Sequence, residues 1–297
     1  MIYVTGATGF VGSFLVESLK ESGLDVTGLS RRRDFGAGLM HDLGSSEDWY
    51  DLFNDADAII HCAAANIGGR QNNRHTETTD FKGTLKLAKE ASKRNVGQFI
   101  FLSTIKVCGH TSLPGRPFTI DDEAPQDSYS RQKSQIEHEL RKLSGIDVVI
   151  LRPPIIYGPG SAGNFKLLER LVESGLPLPF KGIKNKRSVL YLGNLADFIA
   201  ICIKTRAKGT FHLTDGESLS TPELVELIAD AKGVSIHLLP APISLLSHLN
   251  KFRPISAIIA RVLDSLESDM SDTTTNLGWV PPYSTKEGLI QSVEGRS

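Results

Sequence analysis

The most constraining feature of this chain is a short apolar run that ends in three spaced glycines. Met1–Thr5 reads as a buried strand, and Thr5-Gly6-Ala7-Thr8-Gly9-Phe10-Val11-Gly12 turns out of it into an amphipathic helix over Phe10–Glu21. Gly6 permits the tight turn, Gly9 lets the backbone approach a pyrophosphate, and Gly12 lets the helix pack closely on its strand. Together with the positive end of the helix dipole, the backbone from Gly6 through Thr8, Gly9, Phe10 and Val11 to Gly12 is an expected phosphate cradle for a dinucleotide.

The same pattern repeats along the first half. Asp25–Leu29, Ala58–Cys62, Gln98–Leu102 and Asp147–Leu151 read as further buried strands, with helices over Phe81–Lys93 and Ser128–Leu143. Alternating strands and helices predict an α/β fold, a doubly wound parallel sheet covered on both faces by right-handed crossovers. Ligands of such sheets bind at the carboxyl ends of the strands. Beyond Leu151 prolines and glycines become frequent, with helix candidates at Asn194–Lys204 and Thr221–Lys232. The expected division is a dinucleotide-binding domain at 1–152 and, over 153–297, a smaller C-terminal substrate-binding lobe, some of whose segments can return to the sheet.

Composition narrows the function classes. Hydrophobic residues make up 40% of the 297, enough for a sizeable core and against global disorder. Lys+Arg is 33 against Asp+Glu 34, so a broad nucleic-acid-binding surface is not expected. Cys62, Cys108 and Cys202 are far apart and form no metal-ligand spacing, which predicts no metal site and a reducing compartment, the cytoplasm. No targeting segment is visible and no apolar run reaches the roughly 18 residues of a membrane span. Ala241–Leu266 comes nearest, but His248, Lys251, Arg253 and Arg261 interrupt it. It reads as a helix pair of a globular lobe, with a membrane-surface helix as the alternative.

Two further segments carry chemistry. Where an acidic residue would bind the ribose of NAD, the second strand runs out into Ser30-Arg31-Arg32-Arg33. Ser30, Arg31 and Arg32 suit a 2′-phosphate, so NADP(H) is favoured, with NAD(H) as the alternative. Tyr129 and Lys133 stand at i and i+4, on one face of a helix. The lysine ammonium is expected to lower the phenol pKa toward neutrality. Thr104, at the carboxyl end of the strand Gln98–Leu102, is placed to bind a developing oxyanion at the same carbonyl.

With these residues in view, the chain resembles the extended short-chain dehydrogenase/reductases, the NAD-dependent epimerase/dehydratase family with its Rossmann-type sheet. The resemblance covers nearly the whole chain. It rests on the glycine loop, Asp42-Leu43, His61-Cys62-Ala63-Ala64, Ser103-Thr104 before Gly109, Tyr129/Lys133 twenty-five residues on (129 − 104 = 25), Leu151-Arg152-Pro153, Tyr157-Gly158-Pro159-Gly160 and Leu277-Gly278-Trp279. It implies that Thr104, Tyr129 and Lys133 are catalytic, and that Asp42 and Leu43 flank the adenine. Ala63, Ala64 and Pro153 should lie along the cofactor, while Asn164 and Arg187 bind a nucleotide sugar's diphosphate, unless Asn164 merely caps the helix beginning at Phe165. A homodimer through helices of the first domain is implied as well. Two departures stand out: Asp80 replaces the usual asparagine, and Cys108 replaces the tyrosine usual before Gly109, where it should serve packing.

The family offers dehydration, epimerisation and carbonyl reduction. Thr104 is followed by Ile105-Lys106 rather than Asp-Glu, which removes the acids that dehydration needs. The basic turn after Ser30 favours an NADPH-dependent reduction at C4 of a UDP-4-keto-6-deoxy-N-acetylhexosamine, a step in surface-polysaccharide synthesis. The alternative is a UDP-hexose 4-epimerase, of the UDP-glucose or UDP-N-acetylglucosamine type, that retains NAD. A non-catalytic NADP-binding sensor ranks below both, because Tyr129 and Lys133 are kept.

Overall fold

The computed structural model describes residues 1–30, 39–40, 50–63, 74–161, 163–241 and 262–295; for 39–40, 50 and 74–80 it describes the backbone alone. Among the described residues, seven parallel strands form the central sheet: β1 (Ile2–Thr5), β2 (Val26–Ser30), β3 (Leu39–Met40), β4 (Ala58–His61), β5 (Gln98–Leu102), β6 (Asp147–Arg152) and β10 (Gly209–His212). Their spatial order is β10-β6-β5-β4-β1-β2-β3. The order reverses at β1, where β2 lies to one side and β4 to the other, in registers Val4↔Gly28 and Val4↔Ile60. That reversal opens a crevice at the carboxyl ends of β1 and β4.

Both faces of the sheet are buried, which is why its strands read as continuous apolar runs. Ile2, Val4, Ile60, Ile100 and Val149 point one way, onto Leu15 and Leu19 of α1 (Phe10–Glu21) and Phe198 and Ile199 of α5 (Leu192–Thr205). Tyr3, Ile59, Phe99, Phe101 and Ile150 point the other way, onto Leu87 and Ala91 of α2 (Arg74–Lys93) and Ile136 and Leu140 of α3 (Ser128–Arg141). Each large side chain buried in this way contributes about 1.5–3 kcal/mol.

The predicted α1 matches its observed span, and the five strands lie within a residue or so of the expected ones. α2 starts at Arg74, seven residues before the expected Phe81. Arg74–Asp80 holds no apolar residue, so no periodicity marked that part of the helix. The doublet β3 is too short to leave a pattern.

The lobe has its own core. The strands β7 (Ile155–Tyr157), β9 (Arg187–Tyr191) and β11 (Ser218–Leu219) form one small sheet, β8 (Leu178–Lys181) and β12 (Leu238–Pro240) another. Phe165 and Val172 of α4 (Gly163–Glu173), Leu224 and Ile228 of α6 (Thr221–Lys232) and Leu289 of the last helix pack together with Tyr157, Val189 and Tyr191. Among the described residues, α7 (Ser271–Leu277) and α8 (Thr285–Glu294) lie beyond the lobe's strands.

Candidate active site

The glycine loop closes against the end of β4. Gly6 has φ +70°, and a Cβ there would lie 2.8 Å from the Ala63 nitrogen. A Cβ on Gly12 would meet the Gly6 carbonyl oxygen at 2.3 Å, so α1 can approach β1 this closely only with glycine at that position. Gly9 caps α1 with extended backbone and no side-chain bond, while Thr8 and Gly9 are exposed at the crevice. This cradle has the shape a pyrophosphate needs, with backbone in place of side chains at its floor. Ala63 is half-buried beside it, and its N–H donates to Thr5 Oγ1 at 3.4 Å. Ser30 is buried at the end of β2. Arg31, Arg32, Asp42, Leu43 and Ala64 lie outside the described residues, as do the side chain of Asp80 and most of Ala241–Leu266.

The proposed reacting groups come from the end of β5 and from α3. Thr104 follows β5 and caps a single 3-10 turn, Ile105–Val107, its Oγ1 accepting the Lys106 N–H at 3.3 Å. That turn packs on α3 and is tied to β6, because Ile105 N–H donates to the Pro153 carbonyl at 3.0 Å. α3 begins at a capping box in which Asp127 accepts the Ser130 N–H at 2.7 Å. Tyr129 therefore stands in the first turn of α3, with Lys133 one turn further along and buried. The Lys133 ammonium donates to the Leu102 carbonyl at 2.8 Å, two residues from Thr104. It lies 4.4 Å from the Phe101 ring centre and 5.9 Å from that of Tyr129.

One expectation is corrected here. Lys133 was expected to lower the Tyr129 phenol toward neutrality, yet the phenol is pushed up to about 12. Burial disfavours the phenolate, and the Asp127 carboxylate two residues away adds to the effect. The cysteines take no part, since burial pushes all three thiols up to about 12 and leaves no thiolate near neutrality.

Two of the remaining candidates belong to the lobe. Asn164 is exposed within the first turn of α4, which begins at Gly163 rather than Phe165. Arg187 opens β9 half-buried and donates to the Asp264 carbonyl at 2.8 Å. Pro153 is buried at the end of β6, beside the Thr104 turn.

Sequence reasoning gave no role to the polar groups behind these residues. His61 is buried at the end of β4, with Nδ1 2.7 Å from Thr5 Oγ1 and Nε2 2.9 Å from Thr84 Oγ1. Glu137 and Arg152 form a buried ion pair at 2.8 Å. For Glu137 a signal existed: it continues the four-residue spacing of Tyr129 and Lys133, so a carboxylate falls on the inward face of α3.

A parallel sheet with a glycine cradle at its switch point and a hydroxyl, phenol and ammonium at its carboxyl edge defines a dinucleotide-dependent oxidoreductase. Comparison with known proteins agrees. Residues 2–213 match the NAD dependent epimerase/dehydratase family. The chain is 38% identical over 312 aligned residues to UDP-glucose 4-epimerase of Vibrio cholerae, an alignment covering 99% of this chain and 94% of that one. It therefore belongs to the NAD-dependent epimerase/dehydratase family, the extended short-chain dehydrogenase/reductases, and is an enzyme of that chemistry. Among solved structures, UDP-glucose 4-epimerase of Thermus thermophilus in complex with NAD superposes with a TM-score of 0.77 at 22% identity, covering 99% of this chain and 97% of that one. A human epimerase family protein with NADPH superposes at 0.74 and 17% identity, covering 100% and 99%. At such identities the likeness is one of fold, and the fold accommodates either dinucleotide.

Proposed function

We propose that this protein is a nucleotide-sugar 4-epimerase acting on a UDP-hexose with retained NAD. The observation that carries this reading is the near-complete 38% alignment with a UDP-glucose 4-epimerase. The basic turn that favours an NADP(H)-dependent C4 reductase begins at Ser30 and runs into residues outside the described structure, so the reductase is the second reading.

The cradle at Gly6, Gly9 and Gly12, with Ala63 beside it, would hold the dinucleotide, and Ser30 would face its adenosine ribose. Bound there, the nicotinamide supplies the acceptor and donor of hydride at the sugar's C4. The chain's own groups manage the proton and the geometry. Thr104 Oγ1 donates a hydrogen bond to the C4 oxygen and stabilises the charge that gathers on it. Tyr129 takes the C4 hydroxyl proton on the way out and returns it on the way back. A phenol near 12 holds its proton at neutral pH, so in this state it is a poor acceptor. The acceptor step therefore needs the Lys133 ammonium to swing from the Leu102 carbonyl toward the phenolic oxygen. Asn164 and Arg187 are the proposed diphosphate contacts.

The partner is a nucleotide sugar, with neither nucleic acid nor membrane engaged, and the site of action is the cytoplasm. No helix among the described residues is long and apolar enough to cross a membrane. A homodimer through α2 and α3 is proposed as well. Phe81, Leu85, Gln135 and His138 line an open depression of about 580 Å³ between those helices, and light scattering at working concentration tests the pairing.

Incubation with UDP-glucose, UDP-galactose, UDP-N-acetylglucosamine and a UDP-4-keto-6-deoxy sugar, with and without NADPH, separates the readings. Epimerase action interconverts hexoses with no net change in the reduced-nicotinamide band. Consumption of NADPH by the keto sugar alone would establish the reductase instead. Tyr129→Phe should keep dinucleotide affinity and lose about 10²–10⁴-fold in kcat; turnover near wild type would remove Tyr129 from the mechanism.

A further inference from the structure

Behind the proposed reacting groups lies a charge cluster with a buried centre. The Glu137 carboxylate, with no exposed surface, accepts from Ser103 Oγ at 2.5 Å, from Arg152 Nη2 at 2.8 Å and Nε at 3.2 Å, and from Arg141 Nη2 at 2.7 Å. Arg152 is 1% exposed, and its remaining nitrogen donates to the Ile120 carbonyl at 2.9 Å and to Cys108 Sγ at 3.4 Å. His212 Nδ1 lies 3.2 Å from the Phe118 carbonyl, which can only accept, so that nitrogen carries the proton and Nε2 faces the Cys108 thiol at 3.6 Å. Every charge and polar atom at the centre of this cluster is engaged.

The segments it joins are the ones that carry the site. Ser103 directly precedes Thr104. Arg152 directly precedes Pro153, whose carbonyl holds the Thr104 turn. Cys108 closes that same turn. Glu137 lies on the helix face of Tyr129 and Lys133. Eight residues of helix put it about 12 Å below Tyr129, out of reach of the reacting atoms. Stability is a poor account of such a cluster, because a buried ion pair loses about as much in desolvation as it gains in attraction and apolar side chains do as well. What a fully bonded cluster does supply is fixed geometry.

We propose that Glu137 and Ser103 are positioning residues: the buried carboxylate, gripping Ser103 just past β5 and Arg152 on β6 at once, sets the separation between Thr104 and the Tyr129/Lys133 face of α3. The proposal rests on the reading of those three residues as the reacting set. Ser103→Ala removes the one bond between Glu137 and the strand that delivers Thr104 and leaves the Arg152 pair intact. Glu137→Gln keeps the shape and removes the charge.

The test measures kcat, KM, NAD affinity and melting temperature for wild type, Ser103→Ala, Glu137→Gln and Tyr129→Phe. It uses UDP-galactose or whichever member of the panel above is turned over, and adds crystal structures of wild type and Ser103→Ala. Ser103→Ala should lose about tenfold to a hundredfold in kcat, with KM, NAD affinity and melting temperature nearly unchanged and the Thr104 turn displaced relative to Tyr129. Unchanged kcat, or a loss that only tracks a smaller folded fraction, would overturn the positioning role, as would an unchanged Thr104–Tyr129 separation. If Tyr129→Phe remains fully active, the underlying reading fails, and the crystal comparison still decides whether Ser103 places Thr104.

Discussion

His61 is neutral in the folded chain because it has no route to water. Its ring stacks on Phe99 and Phe101, with centroids 5.9 and 6.1 Å away, and both nitrogens are bonded to threonine hydroxyls. Burial, with the Lys133 charge adding to it, lowers its pKa to about 3. Burial beside Arg152 lowers His212 to about 4. Both values lie below the unfolded value near 6.5, so the stability these residues contribute is fully present above about pH 6.5 and is lost as pH falls through 4 toward 3. Each unit of depression is worth about 1.4 kcal/mol, so the loss across that window is several kcal/mol. Urea midpoints should drop steeply between pH 6.5 and 4, and less steeply in His61→Asn. Equal slopes would show that His61 does not drive the acid transition. Neither role was legible in the sequence: a histidine at a strand end gives no sign of whether threonines or water will meet its nitrogens.

Two helices deliver the site, and each depends on its first turn. Gly12 lets α1 lie against the glycine turn, and the 2.3 Å approach of a Cβ to the Gly6 carbonyl leaves a methyl no room. Gly12→Ala should cost about 1–3 kcal/mol of stability and weaken NAD binding, read by thermal melting and titration; unchanged affinity would mean that the cradle tolerates a shifted α1. In α3 the Asp127 side chain both caps the helix and raises the Tyr129 pKa. Asp127→Asn keeps a good cap and removes the charge, so the basic limb of turnover should move to lower pH. Asp127→Ala should instead lose about 1 kcal/mol of stability. The element pattern itself was readable, because strands buried on both faces and an i, i+4 pair after a cap are local signals. The raised Tyr129 pKa was not, since it comes first from burial, and what covers the phenol is set by the packed chain.

At the scale of the whole molecule, long-range pairings join the second half of the chain to the first and close the lobe. β10, from the second half of the chain, pairs with β6 at the edge of the main sheet. Within the lobe, Asp215 gathers the Tyr157 hydroxyl at 2.7 Å, the Tyr191 N–H at 2.8 Å, Asn194 Nδ2 at 2.7 Å and Thr285 Oγ1 at 3.3 Å. Those donors belong to β7, β9, α5 and α8, so the last helix closes the lobe. Deleting residues 285–295 removes Thr285 and the buried Leu289 and should make the lobe protease-sensitive at once; a lobe still resistant would show that α8 is dispensable. Ligand linkage supplies a global check. NAD at a hundred times its Kd should stabilise the fold by about 2.7 kcal/mol, visible as a rise in Tm that Gly12→Ala diminishes.

The sequence by itself determined the parallel sheet, the glycine turn after its first strand and the helix face that Tyr129 and Lys133 share. Each is written in neighbours a few positions apart: apolar runs, spaced glycines, a tyrosine and lysine one helical turn apart. The tertiary structure alone decided how those residues are held and charged. Glu137 meets Ser103 across 34 positions of sequence, and His61 meets Thr5 across 56. Burial, which sets the Tyr129 and His61 proton affinities, belongs to the packed chain because it depends on what covers a group, and the covering side chains come from elements far away in the sequence.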